Sequence, residues 1–247
     1  ATKEDAERAV QAAFDAKQKI ADMAAADRRK ILDKMGDLLE QNKNEFTDII
    51  SKESGKTREL AQGEVNASIE RLHYAADEAE EIRGELIKED VVSQKKTMGM
   101  AIKQPLGVLL CVTPFNYPLF TGVGKISPAI AAGNSIVIKP ASDDPICLLM
   151  FAKIMQEAGL PDGVVNVITG SSSEIGDYLC SHPQIDMVSF TGSSAVGKHV
   201  ANIAGMKKLH LELGGKAPAI VLEDCDFDLT VKEVVTGSLK FSGQRCD

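Results

Sequence analysis

The spacing of apolar residues divides the chain into two parts. Up to about residue 82, apolar positions recur every three or four residues, which is the period of an amphipathic helix. The first two apolar faces are formed by Val10, Phe14 and Ile20 and by Ile31, Leu32, Met35, Leu38 and Leu39. Gly55 is predicted to end a helix, and a longer helix is predicted from about Thr57 to Ile82, ending near Gly84. We interpret these apolar faces as helix-packing surfaces without a chemical role.

From Pro105 the pattern changes, because apolar runs of strand length now alternate with helical stretches. The runs are GVLLCVTP (107–114), SIVIKP (135–140), VVNVITG (164–170), IDMVSFTG (185–192), KKLHLELGG (207–215) and PAIVLE (218–223). The intervening helices are predicted at Leu119–Ala132, Ile146–Ala158, Glu174–Cys180 and Ala195–Ala204. This alternation is typical of an α/β fold, a doubly wound parallel sheet with helices on both of its faces.

Two further segments join or follow these parts. The mixed charged and apolar residues of Val91–Lys103 favour an exposed or edge strand, and we predict a β-ribbon over 86–104. After the last apolar run, Asp224–Phe241 is predicted to be helical. The chain then stops at SGQRCD without a cap or a turn, so we expect a truncated polypeptide.

Polar or glycine-rich residues follow five of the predicted strands. In open parallel sheets, ligands bind at the carboxyl ends of the strands, and those ends lie along one edge. The five tips are Thr113-Pro114-Phe115-Asn116, Lys139-Pro140, Thr169-Gly170, Thr191-Gly192-Ser193 and Glu212-Leu213-Gly214-Gly215. We therefore predict one binding site that these tips share.

The stretch Ile185–Val200 combines a predicted strand, a turn bracketed by Gly192 and Gly197, and the start of a helix. Free N–H groups and the positive dipole at a helix start attract phosphate. The spacing nearly matches a P-loop, but His199 stands where that loop needs Ser or Thr, and the G-x-G-x-x-G pattern of a Rossmann turn is missing. A cofactor or phosphate site and an ordinary strand-to-helix turn therefore both remain open.

Composition limits the class of protein. The 247 residues carry a net charge of -8, which argues against nucleic acid as the main partner. No apolar run is long enough to span a bilayer, and the first residues lack the pattern of a signal peptide. We expect a soluble cytoplasmic protein with no membrane partner.

The cysteines and histidines do not form a metal motif. The five cysteines are widely spaced without a C-x-x-C pair, so we expect free thiols and no metal site. Cys111 and Cys147 lie in apolar runs and are predicted to be core residues, whereas Cys246 has polar neighbours. The four histidines are scattered, and surface or structural roles are expected for them: His73, His182, His199 and His210.

Five short motifs follow one another along the chain. They are PFNYP at Pro114–Pro118, the Ile138-Lys139-Pro140 step, FTGS-x-x-VG at Phe190–Gly197, LELGGK at Leu211–Lys216 and GQRC at Gly243–Cys246. Together they resemble the aldehyde dehydrogenase superfamily, and most closely its non-phosphorylating glyceraldehyde-3-phosphate and semialdehyde dehydrogenases. The resemblance implies that fold's Rossmann variant, with an NAD(P)-binding domain over 1–238, including helical 1–84, and the beginning of a catalytic domain over 239–247.

The resemblance also implies a reaction, the oxidation of an aldehyde to a carboxylic acid through a cysteine thioester. Cys246 would be the nucleophile, and Asn116 with the backbone N–H of Cys246 would hold the oxyanion. Glu212 would draw a proton from the hydrolytic water. Relatives that pass the thioester to coenzyme A tend to lack this Glu, so hydrolysis is favoured. The implied cofactor-binding residues are Thr113, Pro114, Lys139, Ser142, Gly170, Gly192, Ser193, Val196 and Leu213.

The cofactor is expected to be NADP rather than NAD. Many NAD-preferring relatives carry a Glu three residues after the Lys of the KP step, where this chain has Ser142. A carboxylate there would repel a 2′-phosphate, whereas a hydroxyl can donate a hydrogen bond to it.

The substrate is expected to be a small anionic aldehyde such as glyceraldehyde 3-phosphate. Arg245 precedes the nucleophile, and a guanidinium suits phosphate or carboxylate. Tyr117 and Arg71 could add donors, although Arg71 also fits the solvated face of its helix. Succinate semialdehyde and lactaldehyde would explain Arg245 nearly as well.

Other classes of function remain as alternatives. A P-loop nucleotide hydrolase would need an apolar strand ending in Asp after the loop, and VLEDCD at Val221–Asp226 is its only weak candidate. A non-catalytic cofactor-binding fragment is the other alternative. We expect the isolated 247 residues to be inactive, and the full-length parent to be an active homo-oligomer.

Overall fold

The structure, a computed structural model, describes residues 1–87 and 99–246. Strands β1 (Glu85–Ile87) and β2 (Gly99–Ala101) pair antiparallel, with Leu86 opposite Met100. They form a short ribbon, as the sequence predicted. Most of the strand predicted over Val91–Lys103 lies outside the described residues.

Four helices make up the first part of the chain, and local capping explains where they begin and end. They are α1 (Lys3–Ala21), α2 (Ala25–Gln41), α3 (Lys43–Ser54) and α4 (Arg58–Glu81). Thr2 and Asp5 form a reciprocal capping box at the start of α1. Gly55 ends α3 with φ of 71°, a left-handed conformation that suits glycine, and Thr57 caps α4.

Within residues 99–246 the structure contains a five-stranded parallel sheet with helices, which confirms the predicted fold class. Its strands are β3 (Val108–Val112), β4 (Ser135–Lys139), β5 (Val165–Val167), β6 (Met187–Thr191) and β7 (Lys208–Glu212). Their spatial order is β5-β4-β3-β6-β7, so β3 lies at the centre and the chain winds outward from it in both directions.

Helices cover both faces of this sheet, because alternate residues of each strand point to opposite faces. In the second part of the chain they are α5 (Pro118–Ala131), α6 (Ile146–Glu157), α7 (Ser172–Ser181) and α8 (Ser194–Ala204). A further helix, α9 (Phe227–Leu239), buries none of its residues. Leu109 and Cys111 belong to the core under α2 to α6, whereas Val108 and Leu110 belong to the core under α1, α7 and α8. No helix within 1–87 or 99–246 combines the length and the apolar character needed to cross a bilayer.

The strand predicted at PAIVLE is wrong. Residues 213–222 form neither helix nor strand, and the side chains of Ile220 and Leu222 are exposed. A strand needs a hydrogen-bonding partner, and in the described sheet β7 is the edge and pairs only with β6. Because Val221–Asp226 is not a strand, the P-loop alternative loses the apolar strand that it required.

Two carboxylates from the N-terminal helices, the partly buried Glu53 and the buried Glu64, cap helices of the sheet domain. Glu53 accepts hydrogen bonds from the backbone N–H groups of Ile146 at 2.6 Å and Cys147 at 3.0 Å, at the start of α6. Glu64 accepts from Leu119 at 2.9 Å and Phe120 at 3.1 Å, in the first turn of α5. Neither helix has a local side-chain cap, so distant residues satisfy their first-turn donors.

A third carboxyl group is buried near these caps without a hydrogen-bond donor. Asp144 is 1% exposed, and neither of its carboxyl oxygens has a hydrogen-bond partner in the described part of the chain. Burial, and next the negative charges of Glu53 and Glu64, raise the pKa of Asp144 to about 8. The group is therefore mainly protonated at neutral pH.

Replacing Asp144 by Asn tests this assignment. An unfolded Asp has a pKa near ~3.9, so between that value and about 8 the folded chain binds more protons than the unfolded chain. Stability should fall as the pH rises through this window. The Asn side chain cannot ionise. Between about pH 5 and about pH 8, the free energy of unfolding of Asp144→Asn should therefore rise by about 1–3 kcal/mol relative to that of the unsubstituted chain, as measured by urea unfolding.

The neighbouring Asp143 is exposed and provides a matched control. Asp143→Asn removes an exposed charge that adds only a small part to the raised pKa of Asp144, so its pH dependence of stability should stay much closer to that of the unsubstituted chain than that of Asp144→Asn does. A pH response of Asp144→Asn no larger than that of Asp143→Asn would contradict the assignment.

Candidate active site

A cleft of about 830 Å³ opens at the carboxyl edge of the sheet. The tips of β3, β4, β6 and β7 line it, and the segment 243–246 closes one end. It brings together nearly all of the predicted site residues: Thr113, Pro114, Asn116, Tyr117, Lys139, Ser142, Gly192, Ser193, Val196, Glu212, Leu213, Arg245 and Cys246.

The parallel register explains why these tips coincide. Val112, the last residue of β3, pairs with Lys139 on one side and Phe190 on the other, while Thr191 pairs with Glu212. The ladder extends one residue further, because Thr113 N–H donates to the Lys139 carbonyl at 3.2 Å and Gly192 N–H donates to the Glu212 carbonyl at 3.0 Å. The side chains that follow the strands must therefore emerge at one level.

One wall of the cleft is the turn from β6 into α8. Ser193 caps α8, and its hydroxyl accepts from Val196 N–H at 3.3 Å. Gly197 allows close packing, since a β-carbon there would lie 2.3 Å from Cδ2 of Leu213. This wall offers a helix N-terminus and an apolar surface, which together suit a nucleotide.

A second wall carries a buried ammonium and an unsatisfied hydroxyl. Lys139 is 3% exposed and donates to the Pro140 carbonyl at 3.3 Å, and burial lowers the pKa of its ammonium. The buried hydroxyl of Thr113 has no hydrogen-bond partner among the described residues. Polar groups left in this state gain from a polar ligand, so the wall fits the ribose or phosphate of a dinucleotide.

The opposite end of the cleft carries the predicted catalytic groups. Asn116 Nδ2 donates to the Gln244 carbonyl at 2.9 Å, which ties the segment after β3 to the segment before Cys246. Phe241 and Ser242 both have positive φ, 52° and 54°, just before this segment. Such conformations are unfavourable for residues other than glycine and persist only where surrounding contacts impose them.

A line of polar side chains that the sequence analysis missed leads toward Glu212. Lys125 Nζ donates to Ser189 Oγ at 2.8 Å, and Ser189 Oγ lies 3.0 Å from His210 Nδ1. His210 Nε2 lies 3.6 Å from Glu212 Oε1. His210 and Glu212 are two residues apart on β7, a spacing that could have indicated a shared face. The buried Lys125 was hidden within the apolar pattern of α5.

Two predicted site residues do not line the cleft. Gly170 has φ of 149°, packs against Ala1 and lies behind Ser142, whose hydroxyl is 3.5 Å from the Gly170 carbonyl. Arg71 is exposed on α4, with its guanidinium carbon 4.2 Å from the ring centroid of Phe120, a residue of the cleft wall. Both residues lie next to residues that line the cleft and do not line it themselves.

The chain matches the model of the aldehyde dehydrogenase family over residues 1–247. It is 40% identical over 227 residues to an NADP-dependent glyceraldehyde-3-phosphate dehydrogenase of Streptococcus equinus, covering 91% of this chain and 48% of that protein. It is 38% identical to a 3-sulfolactaldehyde dehydrogenase of Priestia aryabhattai, covering 100% of this chain and 51% of that protein.

A solved structure agrees with these relatives. The crystal structure of an NADP-dependent glyceraldehyde-3-phosphate dehydrogenase from Bacillus halodurans, complexed with NADP, superposes with a TM-score of 0.96 at 38% identity. The match covers 99% of this chain and 52% of that one. The chain thus spans about half the length of the relatives it matches.

The five thiols should differ sharply in reactivity. Cys246 is exposed and Cys225 partly so, whereas the other three are buried. Burial raises the pKa of Cys111 to about 12 and that of Cys180 to about 11, and raises that of Cys147 well above its usual value. Iodoacetamide at about pH 8 should therefore alkylate Cys246 about 100-fold or more faster than Cys111, as followed by peptide mass mapping.

Two controls accompany this experiment. In denaturant all five thiols should react at similar rates, and Cys246→Ser should abolish the fastest phase in the folded chain. If Cys111 in the folded chain reacted as fast as Cys246, the arrangement described above would be wrong.

Proposed function

The chain belongs to the aldehyde dehydrogenase family, and from that premise we propose that the protein oxidises a small anionic aldehyde to a carboxylic acid, with NADP as hydride acceptor and Cys246 as nucleophile. The observation that carries the proposal is the single cleft. Its one end presents a thiol, an amide donor and a carboxylate, and its other end presents a helix N-terminus and a buried ammonium.

The first half of the reaction is carbon–sulfur bond formation. The thiolate of Cys246 attacks the aldehyde carbon, and the carbonyl π electrons move to oxygen as an oxyanion. Asn116 Nδ2 has a second hydrogen besides the one donated to Gln244, and with the Cys246 backbone N–H it can donate to that oxyanion. As the oxyanion collapses, its carbon gives up a hydride and becomes the carbonyl carbon of a thioester on Cys246. That hydride would pass to bound NADP⁺, giving NADPH.

The second half is hydrolysis of the thioester. Glu212 lines the same cleft as Cys246 and is solvent-exposed, so it can take a proton from a water molecule. The oxygen of that water bonds to the thioester carbon, the carbon–sulfur bond breaks, and Cys246 leaves as a thiolate. The product is a carboxylic acid, which ionises to a carboxylate at neutral pH.

The cofactor-binding residues fit NADP on structural grounds. Burial lowers the pKa of the Lys139 ammonium, and an anionic ligand beside it would favour the charged form. Ser142 is exposed, lines the cleft and offers a hydroxyl to a 2′-phosphate. Thr113 provides a buried hydroxyl that needs a partner.

The preference for NADP can be tested by introducing a carboxylate at Ser142. We expect the parent to bind NADP several-fold more tightly than NAD. Ser142→Glu should weaken NADP binding about tenfold or more, through repulsion of the 2′-phosphate, and leave NAD binding nearly unchanged. Isothermal titration or nucleotide fluorescence measures both affinities.

Ser181→Glu adds the same charge at an exposed position of α7 and is the matched control. It should leave both affinities unchanged. Tighter binding of NAD than of NADP by the parent would contradict the cofactor proposal.

The anionic substrate is proposed from the surroundings of Cys246. Arg245 and Tyr117 line the cleft together with Cys246, so a cation and a phenol lie at the reacting end. A guanidinium can bind phosphate, sulfonate or carboxylate through two donors. Relatives named for glyceraldehyde 3-phosphate and for 3-sulfolactaldehyde are consistent with an anionic group on the aldehyde.

Arg245→Leu tests the substrate class in an active protein that contains this chain. Losing a charged hydrogen bond costs about 1.5–3 kcal/mol, so kcat/KM for glyceraldehyde 3-phosphate should fall about 10- to 100-fold. Uncharged D-glyceraldehyde differs only by the phosphate, and its kcat/KM should hardly change. Equal kcat/KM for the two aldehydes in the unsubstituted protein would refute an anionic substrate.

Succinate semialdehyde and lactaldehyde belong in the same assay. If the enzyme preferred succinate semialdehyde, Arg245 would still bind the anionic group of the substrate, but that group would be a carboxylate instead of a phosphate. Preference for lactaldehyde would mean that Arg245 serves a small polar aldehyde instead.

A further inference from the structure

A buried ammonium lies between the two segments that form the catalytic end of the cleft. Lys56 is 4% exposed and forms an ion pair with Glu64, which is 3% exposed. Its Nζ lies 3.9 Å from the ring centroid of Tyr117 and 4.8 Å from that of Phe241. The two rings also contact each other edge to face, with centroids 6.4 Å apart. One cation therefore holds a carboxylate and two aromatic rings.

Each of these contacts leads to a catalytic segment. Tyr117 directly follows Asn116, and Glu64 caps the helix that begins at Pro118. Phe241 begins the run of three left-handed residues, 241–243, that leads to Cys246. Asn116 Nδ2 also donates a hydrogen bond to the Gln244 carbonyl at 2.9 Å. The two segments therefore contact each other directly as well as through Lys56.

Lys56 and Glu64 offset each other's charge at a buried place. Burial lowers the pKa of Lys56 and raises that of Glu64, in each case against the attraction of the partner. Removing one member of a buried ion pair leaves the other charge unpaired, which is more damaging than losing an exposed pair. A cation also binds aromatic faces more strongly when it is desolvated.

We propose that Lys56 is a positioning residue for the reaction: its buried ammonium, held by Glu64 and packed on Tyr117 and Phe241, fixes the Asn116 segment against the Cys246 segment. Lys56 does not line the cleft and acts only through these neighbours. The role of Lys56 in catalysis rests on the proposed function. The contact between the two segments can be tested in a protein that shows no enzymatic activity.

Hydrogen–deuterium exchange of Lys56→Met in the chain tests the contact. Met keeps most of the side-chain volume without the charge. Amides at Leu119 and Phe120 and within 240–246 should exchange about tenfold or more faster than in the parent, because the α5 cap and the left-handed turn lose their support. Exchange in β4 and α8 should stay unchanged.

Lys17→Met is the matched control, because Lys17 Nζ lies 3.7 Å from the centroid of the Phe14 ring, far from either segment in sequence. It removes a cation–ring contact of a partly buried lysine and should not change exchange in either segment. If Lys56→Met behaves like Lys17→Met, or if exchange rises uniformly over β4 and α8 as well, the proposal fails.

Phe241→Leu covers the case in which Lys56→Met does not fold. It removes one ring and keeps the ion pair, so exchange should rise within 240–246 and remain slow at Leu119 and Phe120. No change within 240–246 would overturn the proposal.

Kinetics separate positioning from general stability. In an active protein that contains this chain, Lys56→Met should lower kcat about 100-fold, as loss of an oxyanion donor does. Its affinity for NADP should stay within about twofold, because the cofactor wall is untouched. Lys56→Arg, which has room in the adjoining cleft of about 520 Å³, should recover at least about tenfold of the lost kcat.

The two proposals fail differently. If the unsubstituted protein did not oxidise aldehydes, the proposed function would be refuted, but the exchange results would still show whether Lys56 holds the two segments together. Full activity of Lys56→Met would refute the positioning role and leave the proposed function standing.

Discussion

The parallel hydrogen-bonded ladder centred on β3 is the constraint on which the site depends. Because β4 and β6 both pair with β3 in register, Lys139 and Phe190 lie opposite the same residue, Val112. The residues that follow each strand therefore lie together at one edge of the sheet. Five segments far apart in sequence thereby form one cleft, with the N-terminus of α8 at one end and the exposed thiol of Cys246 at the other.

Two carboxylates connect that edge to the N-terminal helices. Glu53 and Glu64 arise on α3 and α4, yet their carboxylates satisfy the first-turn donors of α6 and α5. A carboxylate at a helix N-terminus is favoured by the dipole as well as by the hydrogen bonds. The helical region is therefore more than a cover for the sheet, because it determines where the helix after Asn116 begins.

The sequence by itself predicted most of the element types and the strand-end residues that line the cleft. Alternating short apolar runs and helical stretches predicted the parallel sheet, since period and length are local properties of the chain. The strand-end residues Asn116, Lys139 and Glu212 were found for the same reason, because their position after an apolar run is visible without knowing the strand order. PAIVLE was misread because a strand needs a neighbour, and an apolar run alone does not show whether one exists.

Only the tertiary structure decided which distant side chains meet. Lys56 lies in the turn between α3 and α4, and nothing in the sequence pattern showed that it would pair with Glu64. The pattern also did not show that Glu64 would cap α5, or that Lys56 would pack on Tyr117 and Phe241. The line from Lys125 through Ser189 to His210 likewise joins a helix and two strands. Such contacts depend on the packing of separate elements, and their energies come from burial, which local periodicity does not encode.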